Sequence, residues 1–300
     1  MQSTNTHTEF QDKGYAKIAA EGSGHMQDSD KWYKAQQSRQ SLTEQTHHIA
    51  SQLEKEGIDA YQDQDLYIFG LNSKGIKKVE NFRNIHFLPL VAQKNRAKTL
   101  KTLEYYLKQY PNARTSVLTS GKRCGLTELR DRCRTMHRKV SKINSMPWMQ
   151  EVGARFVFRS TELGEIVPIG DDISVHPHCH LIFVLDKFIT REKWSNLLKQ
   201  IRAYFGTHYE DCGKLKNVRE LVKYCVKPTD FQYLGSKHIA KLYHATKRLR
   251  FVECLKDLRV MKRSHKDNRK KLVRSKGVLK LVDNWVGGKA PDDVPRYLQG

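Results

Sequence analysis

The stretch of sequence that decides the fold is residues 175–185, which read Val-His-Pro-His-Cys-His-Leu-Ile-Phe-Val-Leu. Side chains alternate between the two faces of a β-strand, so His176, His178 and His180 are predicted to project from one face. The unbroken apolar run after them is typical of a strand that is buried on both faces. The sequence therefore predicts a central strand that carries imidazoles at one end.

Histidines two residues apart on a rigid strand can place two nitrogens on one divalent ion. A second strand is predicted over residues 153–163, with Phe156, Phe158, Ser160 and Glu162 on one side. If the two strands form a hairpin, Glu162 lies beside the histidines and supplies a carboxylate. Such a donor set suits Mn²⁺, Zn²⁺ or Mg²⁺, although histidine pairs of this spacing also occur without a metal.

The remaining periodicity predicts helices alternating with strands. The clearest helix covers residues 126–143, where apolar residues recur every three or four positions. Weaker patterns predict further helices at 42–56, 97–107, 191–205 and 217–227, and strands at 66–70 and 114–120. The mixture predicts an α+β fold in which Cys179 packs on the face opposite the histidines.

The charge balance points to a polyanionic partner. The chain has 54 Lys and Arg against 32 Asp and Glu, a formal net charge of +22, and nucleic acid is the simplest partner that neutralises it. An anionic membrane surface is the competing partner, but residues 181–185 are far too short to span a membrane. The polar first thirty residues hold no secretory core. These features predict a soluble, cytoplasmic protein with no membrane partner.

Two further absences narrow the chemistry. The six cysteines are scattered without a Cys-x-x-Cys pair, which indicates reduced thiols. The sequence contains neither a P-loop pattern nor Gly-x-Gly-x-x-Gly, so nothing in it favours nucleotide-driven chemistry. Any chemistry is therefore expected to use side chains and a metal.

A second constellation follows the histidines by some forty residues. On a helix over residues 217–227, Glu220 and Tyr224 are four positions apart and lie side by side, with Lys223 and Lys227 close to them. A tyrosine hydroxyl has a pKa of about 10, so as a nucleophile it needs a nearby cation or base. Taken alone, this pattern is also typical of an ordinary solvated helix face.

Together, these motifs resemble the plasmid rolling-circle replication initiators, members of the wider group of HUH endonucleases. Residues 117–119, followed by the helix at 129–143, resemble the first motif of that family. His-Pro-His-Cys-His-Leu at 176–181 resembles its metal motif, and Glu-x-x-Lys-Tyr-x-x-Lys at 220–227 resembles its nucleophile motif. Residues 158–162 resemble the segment that carries a Glu before the histidines. The order and spacing of the motifs carry the resemblance, which spans about residues 110–230.

The resemblance implies a ferredoxin-like or RRM-like central antiparallel sheet with helices packed on it. It implies that His178 and His180, with Glu162, bind a divalent metal, Mg²⁺ or Mn²⁺, while His176 falls where family members vary. It also implies that Tyr224 nicks the plasmid origin, as single-stranded or extruded hairpin DNA, through a 5′-phosphotyrosine, leaving a 3′-hydroxyl primer. The partners implied are a host helicase, DNA polymerase and single-strand-binding protein, and a homodimer is left open.

Within this nucleophile motif, the resemblance implies that Glu220 is the general base for the terminating cleavage and that Lys223 and Lys227 hold phosphates.

The domain organisation expected is a polar, partly disordered region at 1–78, a nicking domain at 79–230 and a basic helical extension at 231–300. Residues 236–280 contain 16 Lys and Arg against three acids, so the extension is expected to contact DNA in a bacterial cytoplasm.

Two alternatives remain open at this point. A relaxase or single-strand transposase uses a similar histidine pair and tyrosine, but here the histidines precede the tyrosine, whereas conjugative relaxases usually place their tyrosine near the N-terminus. A non-catalytic nucleic-acid-binding protein would use the basic C-terminal helices alone. Metal-dependent cleavage of a single-stranded oligonucleotide distinguishes this last alternative from an enzyme.

Overall fold

The structure is a computed structural model that describes residues 26–63, 66–69, 76–79, 81–222, 226, 228–268, 270–275 and 278–283. The chain divides into two compact units, residues 1–47 and 48–300. The second unit contains the central sheet and the candidate site.

The described residues form helices and strands in mixed order along the chain. The α-helices are α1 (Met26–Lys55), α2 (Pro89–Tyr106), α3 (Leu126–Ile143), α4 (Pro147–Glu151), α5 (Arg191–Phe205), α6 (Ser236–Thr246) and α7 (Lys256–Asp267). The strands are β1 (Leu66–Phe69), β2 (Ile76–Val79), β3 (Arg114–Thr119), β4 (Cys124–Gly125), β5 (Ala154–Glu162), β6 (Val167–Ile169), β7 (Asp172–Val175), β8 (His178–Leu185), β9 (Tyr209–Lys214), β10 (Val252–Cys254), β11 (Lys270–Ser275) and β12 (Val278–Asp283).

The core of the fold is a five-stranded antiparallel sheet in the order β10-β5-β8-β3-β9. The histidine strand β8 is its central strand, and the side chains from Leu181 to Val184 are at most 1% exposed. Their continuous apolar character follows from burial on both faces. The predicted α+β fold with a central antiparallel sheet is confirmed.

The connection between the two strands of the site differs from the predicted hairpin. β5 and β8 are antiparallel neighbours, but β6 and β7 lie between them in the chain and form a small separate sheet with β4. Glu162 ends β5 and His178 begins β8, so the two residues stand directly opposite each other. The pairing of the two strands was predicted, whereas the predicted turn through Asp171 and Asp172 is instead part of the two short strands β6 and β7 and their connection.

A register shift in β5 corrects the predicted set of residues on one side of this strand. The pairing with β8 shifts between Phe156 and Phe158, so that Val157 is an extra residue. A bulge of this kind turns the preceding side chains to the other face. Phe156 therefore packs beneath α3 and α5, whereas Phe158 packs with the residues of the histidine face.

The two faces of the sheet are covered by different helices. Residues of α3 and α5 pack on the face that holds Cys179, Leu181 and Phe183. Residues of α2 and α7 pack on the face that holds Ile182 and Val184. Cys179 is fully buried on the face opposite the histidines, as predicted.

The helix boundaries show where the apolar periodicity of the sequence was sufficient to predict them. α3 has the predicted bounds, and all six of its apolar positions are buried. α2 begins earlier than predicted, at Pro89, because proline is well suited to the first turn of a helix. Among the described residues no helix combines the length and apolar character needed to cross a membrane.

The C-terminal region 231–300 contains more than helices. α6 and α7 lie in it, but β10 also adds an edge strand to the central sheet, and β11 pairs with β12. The short β10 could not be predicted because its pairing partner, β5, is about ninety residues away in the chain.

Candidate metal centre

Three side chains converge at the end of β5 and the beginning of β8. Glu162 pairs with His178 in the ladder, and Ser160 pairs with His180. Directly opposed residues project to the same face, and so do residues two apart on one strand. The antiparallel register therefore places Glu162, His178 and His180 on one face, as the sequence predicted.

The distances make this group a candidate metal site. One carboxylate oxygen, Oε2 of Glu162, lies 3.3 Å from Nε2 of His178 and 3.2 Å from Nε2 of His180. One donor atom from each residue lies within 4.8 Å of the other two. Glu162 is buried and both histidines are half-buried, so the group is held rigidly while one side stays accessible.

The backbone near His178 fixes which of its nitrogens is available. Nδ1 of His178 is 3.2 Å from the carbonyl oxygen of His176. A carbonyl oxygen only accepts hydrogen bonds, so Nδ1 carries the proton in the neutral imidazole. Nε2, which lies toward Glu162 and His180, is therefore the nitrogen placed to bind a metal.

The electrostatics of the site keep its carboxylate ionised. Burial by itself raises the pKa of Glu162, but the imidazoles of His178 and His180 outweigh it and hold that pKa well below its usual range. An ionised carboxylate beside two imidazoles is a donor set that divalent cations bind. The residues present therefore fit a divalent metal.

His176 serves a different purpose from the other two histidines. Its Nε2 is 2.7 Å from the carbonyl oxygen of Gly121 and so donates a hydrogen bond to it. His176 also precedes β8, and it lies outside the group of mutually close donor atoms. Its side chain links the loop before β8 to the loop after β3.

A close backbone approach fixes the end of β5. Gly164 has a φ of +69°, and a Cβ atom at this position would lie 2.8 Å from the carbonyl oxygen of His176. Only glycine tolerates both the backbone conformation and the contact. Since the amide of His176 also donates to the carbonyl of Leu163 at 2.9 Å, the residues after Glu162 are held against those before His178.

The segment before the predicted nucleophile packs on the same face as the metal group. Leu221 and Val222 are buried in one cluster with Ile182 and Phe158. A guanidinium nitrogen of Arg96 in α2 donates to the carbonyl of Arg219 at 2.6 Å. The end of this segment is therefore anchored on the histidine face.

This segment also corrects the predicted helix over residues 217–227. Val218–Glu220 form a single 3-10 turn, in which the Asn217 side chain accepts a hydrogen bond from the Arg219 amide, and residues 221–222 form a turn and a bend. The apolar spacing reflects burial against the sheet, not an α-helix. Tyr224, Lys223 and Lys227 lie outside the described residues, as does the side chain of Glu220.

The opposite face of β5 carries a buried polar cluster that the sequence interpretation missed. Arg159 is 1% exposed, and its guanidinium is 2.6 Å from a carboxylate oxygen of Glu253 and 3.3 Å from Oγ1 of Thr161. Nε2 of His137 is 2.9 Å from the same Thr161 oxygen. The available signal was an arginine within an otherwise apolar strand, because such a residue needs a buried partner.

Burial and the nearby charge of Arg159 lower the pKa of His137 to about 3. The imidazole is therefore neutral over the physiological range and acts as a hydrogen-bonding partner of Thr161. This cluster lies directly behind the metal group, since Arg159 and Thr161 alternate with Ser160 and Glu162 along β5.

Comparison with known proteins agrees with this geometry. A family model described as "Replication protein" matches residues 91–283, more than half of the chain. No curated protein and no solved structure matches significantly. The family match covers the central sheet, the metal group and the segment at 218–222. The chain therefore belongs to the replication protein family, the initiators of plasmid rolling-circle replication.

Proposed function

We propose that this initiator is a metal-dependent enzyme of the single-tyrosine HUH type, which nicks and joins one DNA strand at the plasmid origin. The observation that carries the proposal is the convergence of Glu162, His178 and His180 on one face of the sheet. The same face buries Leu221 and Val222, which stand immediately before the tyrosine motif. A phosphodiester-transfer site at this end of the sheet accounts for both features.

Glu162, His178 and His180 would hold the metal, for which we propose Mg²⁺ or Mn²⁺. When bound, the ion polarises the scissile phosphate and stabilises the negative charge that develops on its oxygens. The protein contributes a set of donors that is already formed. The Glu162 carboxylate is ionised, and the carbonyl of His176 orients the imidazole of His178.

Tyr224 is the proposed nucleophile. Its oxygen attacks the scissile phosphorus, a bond forms between the two atoms, and the bond from phosphorus to the 3′ oxygen breaks. The phenol proton passes to solvent and the departing 3′ oxygen gains a proton, leaving a 5′-phosphotyrosine and a 3′-hydroxyl primer. Tyr224 follows the buried Val222 by only two positions in the sequence. This short tether supports the assignment.

Lys223, Lys227 and Glu220 complete the proposed site. A tyrosine with an ordinary pKa of about 10 needs nearby positive charge to favour the phenolate. Lys223 and Lys227 are proposed to supply that charge and to hold the phosphates of the strand. Glu220 is proposed as the general base that activates water in the terminating cleavage. Its position at the end of the 3-10 turn, next to the buried Leu221, is compatible with this role.

The proposed setting is the bacterial cytoplasm, where the substrate is plasmid origin DNA, single-stranded or extruded as a hairpin. The net charge of +22 supports a DNA partner. The 3′-hydroxyl primer calls for a host DNA polymerase, and strand displacement calls for a helicase and a single-strand-binding protein. We also propose that the domains of the chain are divided at residues 78 and 230. A homodimer is a further proposal.

Trapping of the covalent intermediate tests the nucleophile. Tyr224→Phe should abolish covalent attachment to a labelled single-stranded origin oligonucleotide, because phenylalanine has no oxygen to attack phosphorus, while binding of the oligonucleotide is retained. Tyr233→Phe is the matched control, since Tyr233 is nearby and 79% exposed, and it should leave the adduct yield unchanged. Attachment by Tyr224→Phe at the normal level would refute the assignment.

The role of Glu220 is tested by separating the two cleavages. Glu220→Ala should retain the first nick, made by tyrosine, and lose the release of the adduct by water, because only the second step needs the base. Single-turnover time courses on denaturing gels measure both steps. Equal loss of both steps would contradict this division of labour.

A further inference from the structure

A cavity of about 340 Å³ lies between α2, α7 and β10. Residues of α2 line one side, Lys262 of α7 another, and the edge strand β10 together with Val222 forms its floor. None of the described residues that line it is acidic, whereas four are cationic: Arg96, Lys98, Arg250 and Lys262. A cavity with this lining attracts an anionic ligand.

The ladder of the sheet gives its position relative to the metal group. Val252, which lines the cavity, pairs with Ser160, and Ser160 pairs with His180. Residues opposed in this way share one face, and two strand spacings amount to about 9–10 Å. The cavity therefore opens on the histidine face, at the β10 edge of the sheet.

On the same face, the opposite edge of the sheet, at β9, carries a negative charge. His180 pairs with Val117 on its other side, and Val117 pairs with Glu210 of β9. Glu210 thus stands about 9–10 Å from His180 in the other direction, with 65% of its side chain exposed. Its carboxylate is 3.8 Å from Nε2 of His208. An extended polyanion that reaches the metal group therefore meets one carboxylate at the β9 edge and four cations at the β10 edge, and this contrast favours the β10 edge.

The cations of the cavity differ in how they are engaged. Arg96 donates to the backbone of Arg219, and Arg250 has a carboxylate oxygen of Glu253 at 3.8 Å. Within the described parts of the chain, no carboxylate forms an ion pair with Lys98 or Lys262, and both are exposed. Two of the lysines that line the cavity are therefore available for phosphates.

From this contrast we infer that the single-stranded substrate leaves the metal centre over the β10 edge, with its phosphates bound by Lys98 and Lys262 in the cavity between α2 and α7. This inference rests on the proposed nicking function for the identity of the strand. It adds a direction for that strand and two phosphate-binding residues in regions of the chain far from the tyrosine motif.

Equilibrium binding in the full-length Tyr224→Phe protein without divalent metal tests this path, because no covalent capture then intervenes. Lys98→Ala/Lys262→Ala should lower the affinity for the origin oligonucleotide, measured by fluorescence anisotropy. For single strands each lost phosphate contact reduces the slope of log K against log salt by about 0.7, so the pair should reduce it by about 1.4. Lys193→Ala/Lys199→Ala is the control, since it removes two exposed lysines from α5 on the other face.

The control separates a bound strand from a general effect of charge. A slope that falls in the cavity variant alone supports the path. An equal fall in both double variants, or an unchanged slope in the cavity variant, overturns it. Single phosphates of the oligonucleotide can also be replaced, one at a time, by neutral methylphosphonates. At one cluster of positions on one flank of the nick, this replacement should lower the affinity less in the cavity variant than in the parent protein. The same cost in both proteins at every position would also overturn the path.

The proposed function is judged by a different readout. Covalent adduct formation is measured in the wild-type protein, so it is independent of the binding measured in the cavity variant. If the wild-type protein forms no adduct, nicking is refuted and the binding result still stands. Conversely, normal adduct formation with an unchanged salt slope in the cavity variant would refute the path alone.

Discussion

The two faces of β5 use polar residues in different ways. On the histidine face, Glu162 converges with two imidazoles whose nitrogens point into a half-buried space. On the other face, Arg159 and Thr161 are buried and interact with Glu253 and His137. Because side chains alternate along a strand, one short run, Arg-Ser-Thr-Glu, serves both faces. The first group is arranged to bind a ligand, whereas the second group stabilises the strand that holds the first.

The largest effect on folding is expected from the buried ion pair. Arg159→Ala removes the buried partner of the Glu253 carboxylate, whose side chain is 17% exposed, and leaves it paired with the more exposed Arg259 at 2.6 Å. Breaking a buried pair costs roughly 3–5 kcal/mol when the remaining charge has no partner, so the loss should be at most of that size. Urea denaturation measures the change in the free energy of unfolding. Arg250→Ala is the control because Arg250 is 81% exposed and 3.8 Å from the same carboxylate, so its loss should cost below about 1 kcal/mol. Equal losses would show that the cluster on this face is not structural.

A smaller effect, visible only on acidification, is expected from His137. Its pKa of about 3 in the folded protein lies below the ordinary value of 6.5, so the unfolded chain binds an additional proton between these values. Stability is therefore fully present above about pH 6.5 and falls as the pH decreases toward 3, by about 1–2 kcal/mol at pH 5. His137→Gln removes the titrating group, so the difference in unfolding free energy between variant and wild type should change by that amount between pH 7 and pH 5. A difference independent of pH would mean that His137 is not held neutral.

Part of this comparison could be predicted from the sequence. The histidine strand, its central position and its pairing with the strand of Glu162 followed from alternation and from a continuous apolar run. α3 was predicted with its bounds because its apolar positions recur without interruption. These features depend on patterns that are local in the chain, and burial on one face or both produces such patterns directly.

The rest depends on contacts between distant residues. The bulge at Val157, which turns Phe156 to the other face, leaves no mark on residue composition. The segment 218–222 carries a helical spacing, but its buried residues pack on the sheet from a 3-10 turn. The partner of Arg159 is provided by β10, whose three residues pair with a strand about ninety residues earlier in the chain. Tertiary packing overrode local preference at these positions.

The most direct test of the account compares the three histidines of the opening stretch. His178→Ala, His180→Ala and Glu162→Gln should each weaken Mn²⁺ binding, measured by isothermal titration calorimetry, by more than the factor of about 10–100 that is typical for residues that only support a metal ligand. They should also abolish covalent attachment to the origin oligonucleotide. His176→Ala, whose Nε2 donates to the backbone of Gly121, should retain Mn²⁺ binding within that factor. Equal losses for His176 and His178, or Mn²⁺ binding that survives in all four variants, would contradict the assignment of the metal centre.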